Sequence, residues 1–380
     1  MGNTFLRNDV YGLELSESDY NTIRNNTFSE NGKRGMHLLS SNNNTIIYNY
    51  FEKSKTGDVY LEDSHSNRIS FNTFRPIDLP KFISALYIYG AENIVTNNDF
   101  NSTAISISGN RNTVANNTFS SGSVQVYRGF YNLLSHNVFV SSGAIVIGYY
   151  TTEASECGYN IILNNTVGGT GWRGLVLINT CYNEVINNSF EGKTNAGIYI
   201  YNSSNNIIRN NTITENEIGI RLERKSLNNE IYWNDIYGNW EYGILVDTEN
   251  VSSVNATENW WGDASGPFHP EKNPKGRGDR VSDGVVFKPW SEERNNNKDK
   301  TQPSGDDGSR SYLGIYIHLL IIAVLFCILV IVVRLPEEFF NKKGKSEQEK
   351  RKNGHVAVSE VQVSRKRIFS CPHCGGKFEI

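Results

Sequence analysis

An eight-residue unit, Asn-x-φ-x-x-Asn-x-φ with φ apolar, recurs through residues 3–247 and constrains the fold more than any other feature of this chain. It begins at Asn3, Asn21, Asn44, Asn67, Asn93, Asn112, Asn132, Asn160, Asn183, Asn206 and Asn229, and degenerately at Asn255. The second Asn follows five residues on, from Asn8 and Asn26 to Asn211 and Asn234. Successive units are spaced by 18 to 28 residues, most often 23. Each repeat is therefore one structural unit carrying local insertions.

A second element follows each unit: a small residue, then apolar-x-apolar. Gly35-Met36-His37-Leu38, Ala104-Ile105-Ser106-Ile107 and Gly197-Ile198-Tyr199-Ile200 are examples. Alternation with a period of two puts both apolar residues on one face. Each repeat thus offers three short inward-facing stretches, which three strands and the bends between them close into a triangular coil. One coil cannot bury its apolar face alone, so coils must stack. The fold class predicted is all-β: a right-handed parallel β-helix of about 12 coils with ~23 residues each, about 55 Å tall at the spacing of neighbouring strands, followed by one transmembrane α-helix. The bends are assigned to the repeated Asn residues, which tolerate left-handed backbone geometry. Stacked in successive coils, their amides are also expected to bond one another in ladders.

The repeats resemble the archaeal and bacterial parallel β-helix repeat proteins related to NosD, also grouped as carbohydrate-binding and sugar-hydrolysis repeat domains. The resemblance is specific for the fold and weak for function. Asn259-Trp260-Trp261-Gly262-Asp263, Ser265-Gly266-Pro267, Gly278-Asp279-Arg280-Val281-Ser282 and Val286-Phe287-Lys288-Pro289-Trp290 look like the closing segment of archaeal members. Bulky aromatics would there cover the open end of the solenoid. The expected organisation is repeats at 1–254, a cap at 255–290, a polar stalk at 291–312, a membrane span at 313–333 and a basic tail at 334–380.

Charge supports that division. From Arg334 onward there are 11 Lys/Arg against 6 Asp/Glu, so the tail carries +5 and the remainder −8 of a net −3. An acidic repeat region argues against nucleic acid as its partner. Leu313–Val333 is 21 residues without a charge, long enough to cross a hydrocarbon core. Arg334, Lys342, Lys343, Lys345, Lys350, Arg351 and Lys352 follow it, which predicts a cytoplasmic C-terminus and extracellular repeats. Met1 runs directly into repeat sequence with no signal peptide, so a natural start further upstream is expected.

The tail ends in Cys371-Pro372-His373-Cys374-Gly375, which looks like the first knuckle of a zinc ribbon. A closed zinc site needs four ligands. Truncation before a second knuckle, a zinc shared by two chains and a vestigial knuckle remain open, with truncation favoured. Zinc is expected there if a second knuckle exists; no cofactor is expected in the repeats.

Parallel β-helices host polysaccharide lyases, hydrolases and epimerases, whose chemistry needs convergent charges. Here the outward column reads Glu14, His37, Tyr60, Tyr87, Ser106, Gln125, Val146, Val176, Tyr199, Arg221 and Leu245. The next reads Ser16, Leu39, Glu62, Tyr89, Ser108, Tyr127, Gly148, Ile178, Tyr201, Glu223 and Asp247. Read column by column, acidic residues are isolated except for Glu223 and Asp247 at one end, and no catalytic residue is assigned. Copper handling, which the NosD name suggests, calls for Met, Cys and clustered His; the repeats have one internal Met, Met36, and His37, His65 and His136 in different coils. What remains is aromatic: Tyr60, Tyr87, Tyr89, Tyr127, Tyr199 and Tyr201, suited to sugar or protein contacts although Tyr is also a good strand former. Insertions at Arg75–Phe82 and Gly148–Cys157 are expected to shape a groove beside them. The leading expectation is a non-catalytic cell-surface protein that binds glycan or envelope proteins. A polysaccharide-processing enzyme and an accessory protein for metal-site assembly are the alternatives.

Two covalent features are also expected. Cys157 and Cys181 lie shortly before Asn160 and Asn183 on neighbouring coils, close enough for a disulfide. Acceptor sequences for N-glycosylation occur at Asn25, Asn43, Asn101, Asn116, Asn164, Asn187, Asn202, Asn210, Asn250 and Asn255.

Overall fold

A computed structural model describes residues 2–75, 83–149, 157–247 and 253–295, with the backbone of 368–370 and 377–379. The chain is a parallel β-solenoid of three sheets. The first sheet stacks strands from Thr4–Leu6 to Asp235–Tyr237, the second from Tyr11–Ser16 to Tyr242–Val246, and the third from Thr22–Arg24 to Val285–Val286. Every pairing along these stacks is parallel and, apart from bulges at Ser84–Leu86 and Ile107–Ser108, joins equivalent positions of neighbouring coils. The first sheet stacks 11 strands, which define ten full turns of about 23 residues rather than the twelve expected. The difference lies at the two ends, where the Asn phase departs from the sequence reading.

The interior follows from the alternation. Phe5, Phe28, Phe51, Phe74, Phe100, Phe119 and Phe139 stack ring on ring at centroid distances of 4.6 to 5.0 Å. Met36, Leu38 and Ile46 fill the rest of one coil and are fully buried. The residue before the apolar-x-apolar unit of a second-sheet strand is typically small because its side chain would point into this core: a Cβ on Gly35 would lie 3.1 Å from the Phe28 and Phe51 side chains. Asp58 occupies that position one coil later, since Met36 N–H bonds the Asp58 carbonyl and Asp58 N–H bonds that of Ala85. Its carboxyl is buried, and burial pushes its pKa up to about 7 while Ser54 and Arg34 pull the other way.

The Asn residues form two long ladders. In one, the backbone N–H and Nδ2 of Asn26 both donate to Asn49 Oδ1, at 3.0 and 3.1 Å, and the pattern continues through Asn72, Asn98 and Asn117 to Asn234 and Asn259. The other runs from Asn21 through Asn44 to Asn206 and Asn229. Asn3 bonds Asn26, and Asn8 bonds Asn31 at a third corner, so both sit one corner away from the phase read in sequence. At the far end Asn255 pairs with Glu230, and Asn259 is the ladder residue.

The ladder residues are not the left-handed ones. That conformation belongs to the residue before each, with φ between 52° and 58° at Arg7, Asn25, Tyr48, Phe71, Asn97, Asn116, His136, Asn164, Asn187, Asn210, Trp233 and Glu258. Each such bend costs roughly 1 kcal/mol for a residue with a Cβ, and the buried amide bonds beside it offset the cost.

Residues 253–295 lie against the last coil. Trp261 is fully buried, and Val281, Val285 and Phe287 join the same core. Asp279 ends a short third-corner ladder, Lys193–Asn216–Asn239, by accepting from Asn239 Nδ2 and N–H and from Gly238 N–H. Separately, Ile368–Ser370 and Lys377–Glu379 form an antiparallel hairpin on either side of Cys371 and Cys374. Those two cysteines, the span at 313–333 and the stalk beyond 295 lie outside the described residues, as does most of both insertions. Among the described residues no helix is long and apolar enough to cross a membrane.

Candidate functional site

The outward face of the second sheet carries the residues that sequence singled out, and strand register sets their order. Glu14, His37, Tyr60, Tyr87, Ser106, Gln125, Val146, Val176, Tyr199, Arg221 and Leu245 pair in succession, as read. The next column departs from the reading at one place. Ile107 pairs with Val126 but Ser108 with Arg128, so a bulge displaces Tyr127 from register.

The six tyrosines form three sets. Tyr60 and Tyr87 are half-buried and Tyr89 is exposed, with Tyr60 lying 6.0 Å from Tyr87 and 5.4 Å from Tyr89. The belt extends through His37, 5.4 Å from Tyr60, to Tyr11 at 4.8 Å from His37. Exposed Tyr127 contacts Tyr149 edge-on at 5.7 Å. Tyr199, by contrast, is only 3% exposed and is not a free platform. Arg173 covers its ring at 3.3 Å, and its hydroxyl donates to Glu223 Oε2 at 2.6 Å. Tyr201 beside it is half-buried.

Two features of this face escaped the column-by-column reading. The guanidinium of Arg34 sits 4.6 Å from the rings of both Tyr60 and Tyr87, and its Nη1 donates to the Thr56 carbonyl. Arg34 precedes the apolar-x-apolar unit, outside the columns read. Burial lowers its pKa, and nearby tyrosines act the other way. Burial likewise raises Tyr60, with Glu62 adding to the shift. Second, His37 Nδ1 meets Glu14 Oε1 at 3.2 Å while Nε2 meets Glu62 Oε2 at 3.1 Å. Only the protonated ring has donors for both. The carboxylates that looked isolated in sequence converge because Glu62 lies on a diagonal from His37, a reach long side chains make readily.

A copper site does not fit the donors among the described residues. Met36 is fully buried in the core, His37 is engaged by two carboxylates, and His65 Nδ1 accepts from Ala91 N–H at 3.0 Å. Among the described residues no group of three His, Cys, Asp or Glu is placed to hold a metal ion.

Of the acceptor sequences, Asn25, Asn43, Asn116, Asn187, Asn202 and Asn255 are exposed, and Asn101 and Asn164 are half-buried. Asn210 is buried at 8% exposure, and Asn250 lies outside the described residues. None stands on a strand of the second sheet. Cys181 is buried, and it bridges Gly158 of the preceding coil. The side chain of Cys157 lies outside the described residues.

Comparison with known proteins places the chain among β-helices. Residues 1–77 match the family described as periplasmic copper-binding protein (NosD), and residues 81–260 match the right-handed beta helix region. No curated protein matches the chain. Among solved structures, bacteriophage CBA120 tailspike protein 3 is similar at 13% identity and a TM-score of 0.46, covering 82% of this chain and 56% of the tailspike. The chain thus spans little more than half the length of that protein. The periplasmic alginate epimerase AlgG is similar at 14% identity and a TM-score of 0.34, with 76% and 77% of the two chains covered. The A-module of Azotobacter vinelandii mannuronan C-5 epimerase AlgE6 shares 13% identity at a TM-score of 0.35, with 73% and 90% covered.

Proposed function

We propose that this chain, a NosD-like right-handed β-helix repeat protein, is a surface-displayed scaffold that binds glycan along the outward face of its second sheet. The observation that carries the reading is the belt of Tyr11, His37, Tyr60, Tyr87 and Tyr89 across neighbouring coils, clamped by Arg34. Aromatic rings with polar tips pack against the apolar face of a sugar while offering hydrogen bonds at the edge. The lack of glycosylation sequences on these strands keeps the face clear under this reading. Display at the cell surface, with one membrane span and a cytoplasmic tail, rests on the charge-free run at 313–333 and its basic flank.

The full chain, purified in detergent, should bind members of a glycan array. A Tyr60→Ala/Tyr87→Ala variant that binds the same glycans equally well would remove the face from the account. Protease added to sealed cells should degrade the repeats and spare the tail; a degraded tail would overturn the topology.

A second reading, a polysaccharide lyase, hydrolase or epimerase, is favoured by the Glu14–His37–Glu62 arrangement. An imidazole between carboxylates, beside tyrosine hydroxyls, is a set that can move protons. Reducing-end and unsaturated-product assays on the bound glycans separate the readings. Product formation abolished by His37→Ala would make the face an active site.

A further inference from the structure

Resting on the glycan-binding reading above, we propose that the polymer is acidic and that Arg34 receives a carboxylate or sulfate group from it. Arg34 has no carboxylate partner among the described residues, whereas Arg7, Arg75, Arg209, Arg221 and Arg277 each have one. A half-buried guanidinium has given up hydration that its surroundings must replace. The rings of Tyr60 and Tyr87 take its flanks, and the Thr56 carbonyl takes one N–H. A guanidinium has five N–H groups in one plane, so an edge is left for a planar or tetrahedral oxyanion.

The seat is built for this side chain. Gly57, at φ 118°, passes beneath it, and a Cβ there would come within 2.5 Å of Arg34 Nη1 and 2.9 Å of the Tyr87 ring. Among the described residues no neighbouring acid makes an ion pair with Arg34, although Asp58 feels its charge. Glu14 and Glu62 are engaged by His37. Asp58 is buried in the core, and burial raises it to about 7, which keeps it largely protonated below neutrality. Stacking on tyrosine orients the guanidinium without neutralising it, which an anion receptor requires.

Isothermal calorimetry on the full chain in detergent tests this with three oligosaccharides of equal length: a polyuronate, a sulfated glycan and a neutral glucan. Both or either acidic probe should bind, more weakly as salt rises, and the neutral glucan should bind at least about tenfold less tightly. Arg34→Met, which keeps the packing, should lose about tenfold or more for the acidic probe, with Arg34→Lys between and Arg24→Met on the third sheet unchanged. Thermal midpoints report that each variant remains folded. Equal binding of acidic and neutral probes, or an unaffected Arg34→Met, overturns the anion receptor and leaves glycan binding standing. Equal losses for neutral and acidic probes would make Arg34 a strut for the tyrosines and also overturn it. No binding of any probe or any array glycan overturns both readings.

Discussion

Asn137 donates its Nδ2 to Asn165 Oδ1 at 3.0 Å and its backbone N–H to the same oxygen at 2.9 Å, one coil further on. Its own Oδ1 receives the same pair from Asn117, and its Nδ2 also reaches the Val114 carbonyl at 2.9 Å. All of these groups are buried. Asn137→Ala should therefore strand the Asn117 backbone N–H and remove the amide bonds to Asn165 and the Val114 carbonyl, while Asn117 Nδ2 keeps the Val95 and Ala115 carbonyls. A loss of about 2–4 kcal/mol is expected, roughly 1–3 kcal/mol for the stranded N–H and about 1 kcal/mol for the lost amide bonds. Asn3→Ala, at the partly exposed first coil, should cost about 1 kcal/mol or less. Urea denaturation of both variants checks the contrast; equal costs would refute it.

Asp58 should behave in the opposite way, because its removal relieves a buried acid. A folded-state pKa near 7 against an ordinary 3.8 means the unfolded chain ionises first. The penalty is absent below the unfolded pKa, grows as pH rises toward 7, and is constant above it. Three pKa units correspond to a ceiling on the order of 4 kcal/mol. Asp58→Ala, which places there the residue its neighbour Ala85 already is, should raise the thermal midpoint at pH 8 and lose most of that advantage near pH 4. A gain independent of pH would show that ionisation is not the cause.

The periodicity made much of this legible. Register along the outward column from Glu14 to Leu245 follows the alternation, because a slip of one residue would turn the whole apolar set to solvent. The phase of the first coil was not legible, for a reason visible in the residues. Asn21, Asn26 and Asn31 are spaced by five and five, so Asn3 and Asn8 fit either step equally well. The left-handed bends were missed because Asn fills only some of them, and Phe71, His136 and Trp233 take the same conformation. At the site, Arg34 and the Glu14–His37–Glu62 convergence depend on diagonal contacts that reading down columns does not reveal.

Cys157 and Cys181 should form a disulfide. Backbone pairing joins Gly158, not Cys157, to Cys181, so the cysteines are offset by one residue. One strand spacing and one residue of rise combine to about 6 Å between their Cα atoms, within the range a disulfide accepts, and closing the bond requires a local turn that brings the two side chains to one face. Non-reducing peptide mapping of natively expressed chain should recover the crosslinked pair. Complete alkylation of both thiols without reductant would sink it.

Glycan occupancy should follow exposure rather than sequence. Asn25, Asn116 and Asn187 occupy the same exposed left-handed corner, while Asn210 stands at that corner but is buried. Site-resolved mass spectrometry of natively expressed chain should find sugar on the first three and none on Asn210. Sugar on Asn210, or no added mass anywhere, would contradict this.

The ladders are one-way. Each asparagine gives two protons to the coil that follows and takes two from the coil before, so the column has a sending and a receiving side. Whatever closes the later side must bring acceptors, since only donors await it there, and an amide serves only where carbonyls take its own protons, as those of Ile231 and Ala256 do for Asn259. Asp279 meets that demand where it receives Asn239 and Gly238: a carboxylate has oxygens to offer and, when ionised, no proton to pass on. A terminator of this kind is directional, and moved to the opposite end of the same column it would face oxygen with oxygen.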